Sequence, residues 1–267
     1  LVGVLDYYSA TWALLPDAAT PPTVSGGKQP EAVADPAYED VTIGGFNLLR
    51  FFDEVADGDG APTLKPEAVD KRLGKTAWAI CDYLKAPDIL GVVEVEHLAI
   101  LQRLADRINT TCARAPGYVA YLAEGNDVGG IDVGFLVSTR SLGANARVEV
   151  QDVQQIGKNA VLANPDGSTS LLNDRPPLLL RAIVHQDNGA AYPVTVIANH
   201  LRPLYDIASF EPGSNGWPTA GARVRAKRAE QARFTAQLVQ DEQAAHPGSK
   251  IVMVGDFNAF EFNDGYT

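Results

Sequence analysis

The chain combines short unbroken apolar runs with longer stretches in which apolar residues recur at helical spacing. The runs are typical of strands buried on both faces. They occur at 41–49 and in DILGVVEVE, IDVGFLVSTR, RPPLLLRAIVH, YPVTVIANHL and, last, at 251–254. Helical spacing is clearest from Lys65 to Leu84, with Pro66 suited to the first turn and one apolar face made of Val69, Leu73, Ala77, Ile80 and Leu84.

Two further helices are predicted, in LAILQRLADRIN and in ARVRAKRAEQARFTAQLVQDEQ. Several of the strands follow one another without an intervening helix, which indicates mixed sheets rather than a purely parallel sheet. Helices that flank such sheets cover their faces. The sequence therefore predicts an α/β (α+β) domain in which helices cover mixed sheets.

The first 40 residues differ from the rest of the chain. Residues 1–16 read as one strand or a strand pair, and residues 16–40 carry seven Pro or Gly breaks, as a linker or an extended arm does. We therefore expect residues 1–40 to be the tail of an upstream strand-rich domain plus a linker. The main domain then spans residues 41–267.

Composition limits the classes of function. The formal net charge of −11 argues against a protein that simply coats nucleic acid, although it allows an enzyme with a local basic patch and a metal ion. No apolar run reaches the roughly 18 residues of a membrane span, so we expect no stable membrane insertion. Cys81 and Cys112 are the two cysteines, and a disulfide is favoured over two reduced core residues because the interpretation below favours export.

Polar residues that a core strand does not need stand at the ends of four of these strands. They are Asn47, Glu94, Asn199 with His200, and Asp256 with Asn258. Each has an ordinary alternative, such as a cap for Asn47, an exposed charge for Glu94 or a hydrogen-bonded core imidazole for His200. Sites form outside the carboxyl ends of strands in α/β sheets. We therefore expect Asn47, Glu94, His200, Asp256 and Asn258 to share one cleft.

This set of side chains suits metal-assisted phosphoester hydrolysis. Hard cations such as Mg²⁺ (or Mn²⁺ or Ca²⁺) prefer carboxylate oxygens, and Glu94 is the natural ligand. Asp256 can orient or deprotonate the attacking water, and His200 can stabilise charge on the phosphate. Asn47 and Asn258 can donate to phosphate oxygens or hold waters. Zinc fits less well, because no His/Cys cluster has ligand spacing and the chain has four histidines.

Five ordered motifs, FNLL, DILGVVEVE, IDVGFLVSTR, NHLRP and VMVGDFNAF, resemble the endonuclease/exonuclease/phosphatase superfamily, the deoxyribonuclease-like fold. The closest branch by resemblance is the secreted bacterial extracellular nucleases. The resemblance implies a two-sheet β-sandwich flanked by helices and a secreted or extracytoplasmic location. It also implies a metal at Glu94, catalytic roles for His200 and Asp256, and supporting polar roles for Asp132 and Arg175.

Members of this superfamily carry a late Asp-His pair on a final strand, and no such pair follows Asp256 in this sequence. We therefore expect the domain to lack its last strand and to be weakly active or inactive in this form.

The substrate is left open by the sequence. Arg223 and Arg225 stand in a basic run, GARVRAKRAEQAR, which follows the His200 loop and would suit the phosphate backbone of DNA or RNA, although such a run is also typical of a solvated helix face. The main hypothesis is a secreted non-specific nuclease. The alternatives are a phosphatase or phospholipase C-like diesterase, and a binding module without catalysis. The sequence does not indicate an oligomeric state.

Overall fold

A computed structural model of the chain describes residues 2–8, 11–23, 26, 30–37, 39–56 and 61–259. The last stretch, 260–267, where the fold was expected to break off, lies outside these residues. The chain divides into two compact units, Leu1–Glu31 and Ala32–Thr267. None of the described helices is long and apolar enough to cross a membrane.

The first unit contains one antiparallel hairpin, as the apolar pattern of residues 1–16 predicts. Its strands are β1 (Gly3–Tyr8) and β2 (Thr11–Pro16), paired from Gly3 with Pro16 to Tyr8 with Thr11. Large apolar side chains of the hairpin, such as Leu5 and Trp12, are exposed.

The second unit holds the predicted strands and helices and several strands that the apolar runs did not indicate. In chain order its elements are β3 (Ile43–Phe51), α1 (Pro66–Trp78) with a π-helical turn (Ala79–Tyr83), β4 (Ile89–Val95), α2 (Leu98–Thr111), β5 (Tyr118–Leu122), β6 (Asp132–Ser138), β7 (Ser141–Leu142), β8 (Asn145–Ala146), β9 (Val148–Gln155), β10 (Val161–Ala163), β11 (Thr169–Leu171), β12 (Leu178–His185), β13 (Ala191–His200), α3 (Ala220–Ala245) and β14 (Lys250–Asp256).

The first sheet has the strand order β3-β4-β6-β5, with β3 parallel to β4 and the other pairs antiparallel. Alternate residues of β4 face opposite sides, so Leu90 and Val92 point to the core beneath α1 and α2. Val69, Leu73 and the other apolar positions of α1 reach the same core, as their spacing predicts. Both helices therefore cover the outer face of this sheet.

The second sheet has the order β14-β13-β12-β9, with β13 parallel to β14 and the other pairs antiparallel. Its outer face carries α3, and polar side chains hold part of this contact. Arg181 of β12 donates to Glu242 of α3 and to Asp152 of β9. Because these charges are paired, α3 can pack here without an apolar stripe along its length.

The inner faces of the two sheets pack against each other and form the second core, which includes Val93, Phe135, Leu180 and Val196. Gly91 of β4 lies in this interface, where an added Cβ would meet Val254 of β14. Two packed sheets with helices on both outer faces are the mixed α/β sandwich that the resemblance implies. The predicted fold class, a two-sheet β-sandwich flanked by helices, is confirmed.

The two cysteines lie where α1 and α2 end, Cys81 in the π-helical turn and Cys112 directly after α2. The expected disulfide is absent from the structure, because both residues are free thiols. Burial, followed by a hydrogen bond with Cys112, raises the pKa of Cys81.

Candidate active site

The carboxyl ends of four strands meet at one edge of the sandwich. In the second sheet, the parallel register places His200 of β13 beside Asp256 of β14. In the first sheet, Asn47 of β3 pairs with Val93 of β4, which directly precedes Glu94. The sheets approach closely here, since an added Cβ at Gly45 would lie 3.1 Å from the Gly255 nitrogen. Strand direction and this close approach bring the polar strand ends together.

Backbone irregularities turn the polar side chains toward one another. The pairing of β3 with β4 shifts register after Asn47, and that of β4 with β6 shifts at Glu94. Such bulges redirect side chains. Non-glycine residues with positive φ are uncommon and cluster at functional sites. Four of them lie at this edge, namely Leu49 (54°), Arg50 (55°), Glu94 (62°) and Asn258 (48°).

The side-chain amide of Asn47 joins the two carboxylates of the site. Its Nδ2 donates to Glu94 Oε1 at 2.9 Å and to Asp256 Oδ2 at 3.0 Å. Its Oδ1 accepts from the Leu49 backbone at 2.8 Å, and the Arg50 backbone N–H donates to Glu94 Oε2 at 2.8 Å. The bulge of β3 therefore fixes Asn47 and Glu94 as one unit.

His200 is buried against this unit, with only 4% of its surface exposed. Its Nε2 lies 3.9 Å from Glu94 Oε1, and its Nδ1 has no hydrogen-bond partner among the described residues. Burial, followed by the charge of Arg175, lowers the pKa of His200 to about 4, and Asp256 opposes this shift. The imidazole is therefore neutral near pH 7 and can donate one hydrogen bond.

Asp256 is held by the turn that follows β14. Its Oδ1 accepts from the Asn258 backbone N–H at 2.7 Å. The Asn258 side chain donates to Leu201 O at 3.0 Å, and Arg228 of α3 donates to Asn258 O at 2.9 Å. Asn258 therefore joins the ends of β13 and β14 and positions Asp256.

Glu94, His200 and Asp256 form one group whose side chains could hold a metal ion. Each offers one ligand atom, and the three atoms lie within 4.8 Å of one another. The carboxylate oxygens of Glu94 and Asp256 suit a hard divalent cation that keeps part of its water shell. The donor set therefore fits Mg²⁺ or Mn²⁺.

A second group with similar spacing consists of Asp53, Glu96 and His97. The Asp53 backbone N–H donates to Glu96 Oε2 at 2.7 Å. His97 Nδ1 accepts from the Ile100 backbone at 3.2 Å and so caps α2. A neutral histidine that accepts through Nδ1 carries its proton on Nε2, which then lacks the lone pair a metal needs. This group suits a structural network better than a metal site.

The other predicted residues lie around the site in different ways. Arg175 donates to His200 O at 3.3 Å and to Leu201 O at 3.2 Å, and it pairs with Asp127 at 2.9 Å, so it positions the His200 loop. Arg225 donates to Ile207 O and holds the loop before α3.

Asp132 begins β6, and its Oδ1 accepts from the Gly125 backbone at 2.6 Å. Burial, followed by Glu124, raises the pKa of Asp132 to about 8. Its described contacts are thus with Gly125 and Glu124 rather than with Asn47 or His200.

Two contributors to the site were not found from the sequence. The Arg50 backbone N–H acts through a β-bulge, for which the sequence carried no signal. Asp127 forms an ion pair with Arg175, which lies 48 residues further along the chain. Asp127 stands in the polar stretch EGNDVGG, which carries no sign of this partner.

No protein-family model and no curated protein matches this sequence. Among solved structures, TDP2 from C. elegans is 17% identical with a TM-score of 0.43, and the match covers 75% of this chain and 48% of that one. ANGEL2, a 2′,3′-cyclic phosphatase in complex with adenosine-2′,3′-vanadate, is 14% identical with a TM-score of 0.49, and the match covers 83% of this chain and 54% of that one. The chain thus spans about half the length of these two proteins.

Proposed function

We propose that this chain hydrolyses phosphodiesters with the help of one divalent metal ion at Glu94. The observation that carries the proposal is the convergence of Glu94, His200 and Asp256 within 4.8 Å, with the Asn47 amide bonded to both carboxylates. When bound, Mg²⁺ or Mn²⁺ would supply charge neutralisation and polarisation of a phosphoryl oxygen.

The residues of the chain supply the remaining chemistry. Asp256 is fixed by bonds from Asn47 and Asn258, so its carboxylate can accept a proton from the attacking water. His200 is neutral, and its Nε2 faces Glu94, so this nitrogen can donate to a phosphoryl oxygen as negative charge develops. The bulged backbone holds these groups before substrate arrives, which reduces the cost of reorganisation.

The finer proposal is a secreted, non-specific nuclease that acts on DNA. Basic side chains on α3 beside the His200 loop support it, because a polyanionic strand gains from cations near its scissile phosphate. The location outside the cytoplasm comes from the resemblance and can be tested by fractionation of the producing cell.

One assay tests this proposal against its alternatives. The protein is incubated with Mg²⁺, Mn²⁺ or Ca²⁺ and offered plasmid DNA, RNA, p-nitrophenyl phosphate and sphingomyelin in parallel. We expect weak, metal-dependent cleavage of DNA that EDTA abolishes. Cleavage should fall at least about 10²-fold in His200→Ala and Asp256→Asn. Glu149→Gln, which changes a carboxylate paired with His185 on β12, is the control.

Three results would contradict the proposal. Hydrolysis of p-nitrophenyl phosphate alone would indicate a phosphatase, and hydrolysis of sphingomyelin alone would indicate a phospholipase C-like enzyme. No hydrolysis of any substrate with any metal would favour a binding module without catalysis.

A further inference from the structure

Two cations pair with a single carboxylate next to the His200 loop, and a third stands beside one of them on α3. Lys227 Nζ of α3 lies 2.7 Å from Asp174 Oδ1, and Arg202 Nη1 lies 3.6 Å from Asp174 Oδ2. Arg223 stands one helical turn before Lys227, at the i, i+4 spacing that places both on one face of α3. We call Arg202, Arg223 and Lys227 the cationic cluster.

Arg223 is the least satisfied member of the cationic cluster. Its Nε is buried and has no hydrogen-bond partner among the described residues. Burial lowers the pKa of Lys227, and the charges of Arg202 and Arg223 lower it further, while Asp174 opposes the shift. Arg202 and Arg223 therefore each lie close enough to Lys227 for their charges to disfavour its protonated form.

The fold does not account for this excess of positive charge. Neighbouring arginines of α3 have structural partners, since Arg225 donates to Ile207 O and Arg228 donates to Asn258 O. Like charges at i, i+4 destabilise a helix. Arg202 and Lys227 already share Asp174, and Arg223 adds a further positive charge beside them in a chain of net charge −11, so this surface favours an anion.

The cationic cluster is connected directly to the candidate active site. Arg202 follows His200 by two residues, and its backbone N–H donates to Gln231 of α3 at 2.9 Å. Asp174 precedes Arg175, whose guanidinium donates to His200 O. An anion bound at the cluster would therefore be a neighbour of the phosphate that His200 contacts.

We propose that Arg202, Arg223 and Lys227 bind the phosphate group next to the scissile one, so that the substrate is a nucleic acid strand rather than a single phosphoester. This inference rests on the proposed function. Tyr205 and Phe210, in the loop between Arg202 and α3, are 76% and 92% exposed and can stack on bases. The same loop carries Asp206 and Glu211 and no Lys or Arg, which disfavours docking on an anionic membrane.

Binding without catalysis tests the cationic cluster first. A fluorescein-labelled 10-nucleotide single strand is titrated in EDTA, with fluorescence anisotropy at several salt concentrations. We expect Arg223→Gln and Arg202→Gln to weaken binding about 5- to 10-fold. Each should also reduce the salt slope by about 0.7, the value for one lost phosphate contact on a single strand.

The control variant is Arg233→Gln, a cation of the same helix whose side chain is 72% exposed and paired with Glu230. It should bind within about 2-fold of the wild type, and Arg223→Lys should keep most of the affinity. Circular dichroism and melting temperature establish that each variant is folded. Equal affinity and salt slope in wild type, Arg223→Gln and Arg202→Gln would overturn the proposal.

Kinetic measurements distinguish a role of the cationic cluster in substrate binding from a role in supporting the active site. The ratio of kcat/KM for the oligonucleotide to kcat/KM for bis(p-nitrophenyl) phosphate should fall at least about 5-fold in Arg223→Gln. An unchanged ratio would overturn the proposal, because the cluster would then support the site as a whole. If the wild type hydrolyses no substrate but binds the oligonucleotide, and Arg223→Gln loses that binding, the cationic cluster is supported and the proposed function fails. Arg223-dependent binding to vesicles with phosphatidylinositol 4,5-bisphosphate, but not to the oligonucleotide, would overturn the assignment to nucleic acid.

Discussion

The amide nitrogen of Asn47 lies 2.9 Å from Glu94 Oε1, although 47 residues separate the two in the chain. The same nitrogen lies 3.0 Å from Asp256 Oδ2. One neutral donor thus holds together two carboxylates that would otherwise repel each other. Asn47 is therefore an organising residue of the site as well as a candidate phosphate ligand.

Replacement of Asn47 by alanine should destabilise the metal-free protein. The two carboxylates lose their shared donor, and an unsatisfied, partly buried group of this kind costs about 1–3 kcal/mol. Urea denaturation in EDTA measures this loss, and added Mg²⁺ should reduce it, since a cation can replace the donor. Asn145→Ala, on exposed β8, is the control and should change stability by less than about 0.5 kcal/mol. Equal stability of Asn47→Ala and wild type in EDTA would show that the amide is not needed.

Replacement of Arg175 by glutamine should reduce kcat more than it changes KM. Arg175 binds the backbone of His200 and Leu201, and a displacement of about 1 Å at a reacting group can cost about 10²-fold in rate. Loss of its charge should also raise the pKa of His200 from its value of about 4. Imidazole NMR on the metal-free protein measures this shift. A variant with unchanged kcat and unchanged His200 pKa would exclude the positioning role.

Stability should fall as pH rises from about 4 to about 8 because of Asp132. Its pKa is raised to about 8 in the folded state, so in this window the folded protein keeps a proton that the unfolded chain has released. One such proton contributes a slope of up to about 1.4 kcal/mol per pH unit. Asp132→Asn keeps the acceptor for Gly125 and a donor for Glu124, so it should flatten the curve.

Urea midpoints at pH 5, 6 and 7 measure this slope. Asp206→Asn, which changes an exposed carboxylate, should keep the wild-type slope. If Asp132→Asn and wild type have the same slope, the raised pKa of Asp132 does not contribute to the pH dependence of stability.

Replacement of Gly91 by alanine should destabilise the sandwich. The added methyl group would meet Val254 and would lie 3.3 Å from Ala198 Cβ, in the interface between the two sheets. Overpacking of this kind costs about 1–3 kcal/mol. Gly248→Ala is the matched control, because nothing lies within 4 Å of its added Cβ. Equal denaturation midpoints for the two variants would show that the interface between the sheets accommodates the added methyl group without loss of stability.

The fold and part of the site could be predicted from residue patterns, because those patterns report burial. Val69 and Leu73 mark the buried face of α1, and polar residues after apolar runs mark the strand ends at Asn47 and His200. Edge strand β9, VEVQDVQQ, was missed because it is only half buried. Its alternating pattern was the signal available.

Other features depend on three-dimensional contacts and leave no local trace. The positive φ of Glu94 arises in a bulge, where the pairing of three strands decides the conformation. The resemblance implied a supporting polar role for Arg175, but its contacts are with backbone carbonyls, which every residue possesses, so no sequence pattern indicates which ones it binds. The cysteines, which the sequence favoured as a disulfide, are adjacent free thiols, because spacing along a chain does not fix the bonding state.

We infer that Glu94 binds the divalent ion on which hydrolysis by His200 and Asp256 depends. Mn²⁺ titration with electron paramagnetic resonance counts bound ions without requiring turnover. Glu94→Gln should bind one Mn²⁺ fewer per chain than the wild type, and Glu149→Gln should match the wild type. An equal number of Mn²⁺ ions bound with equal affinity by Glu94→Gln and wild type would contradict the account.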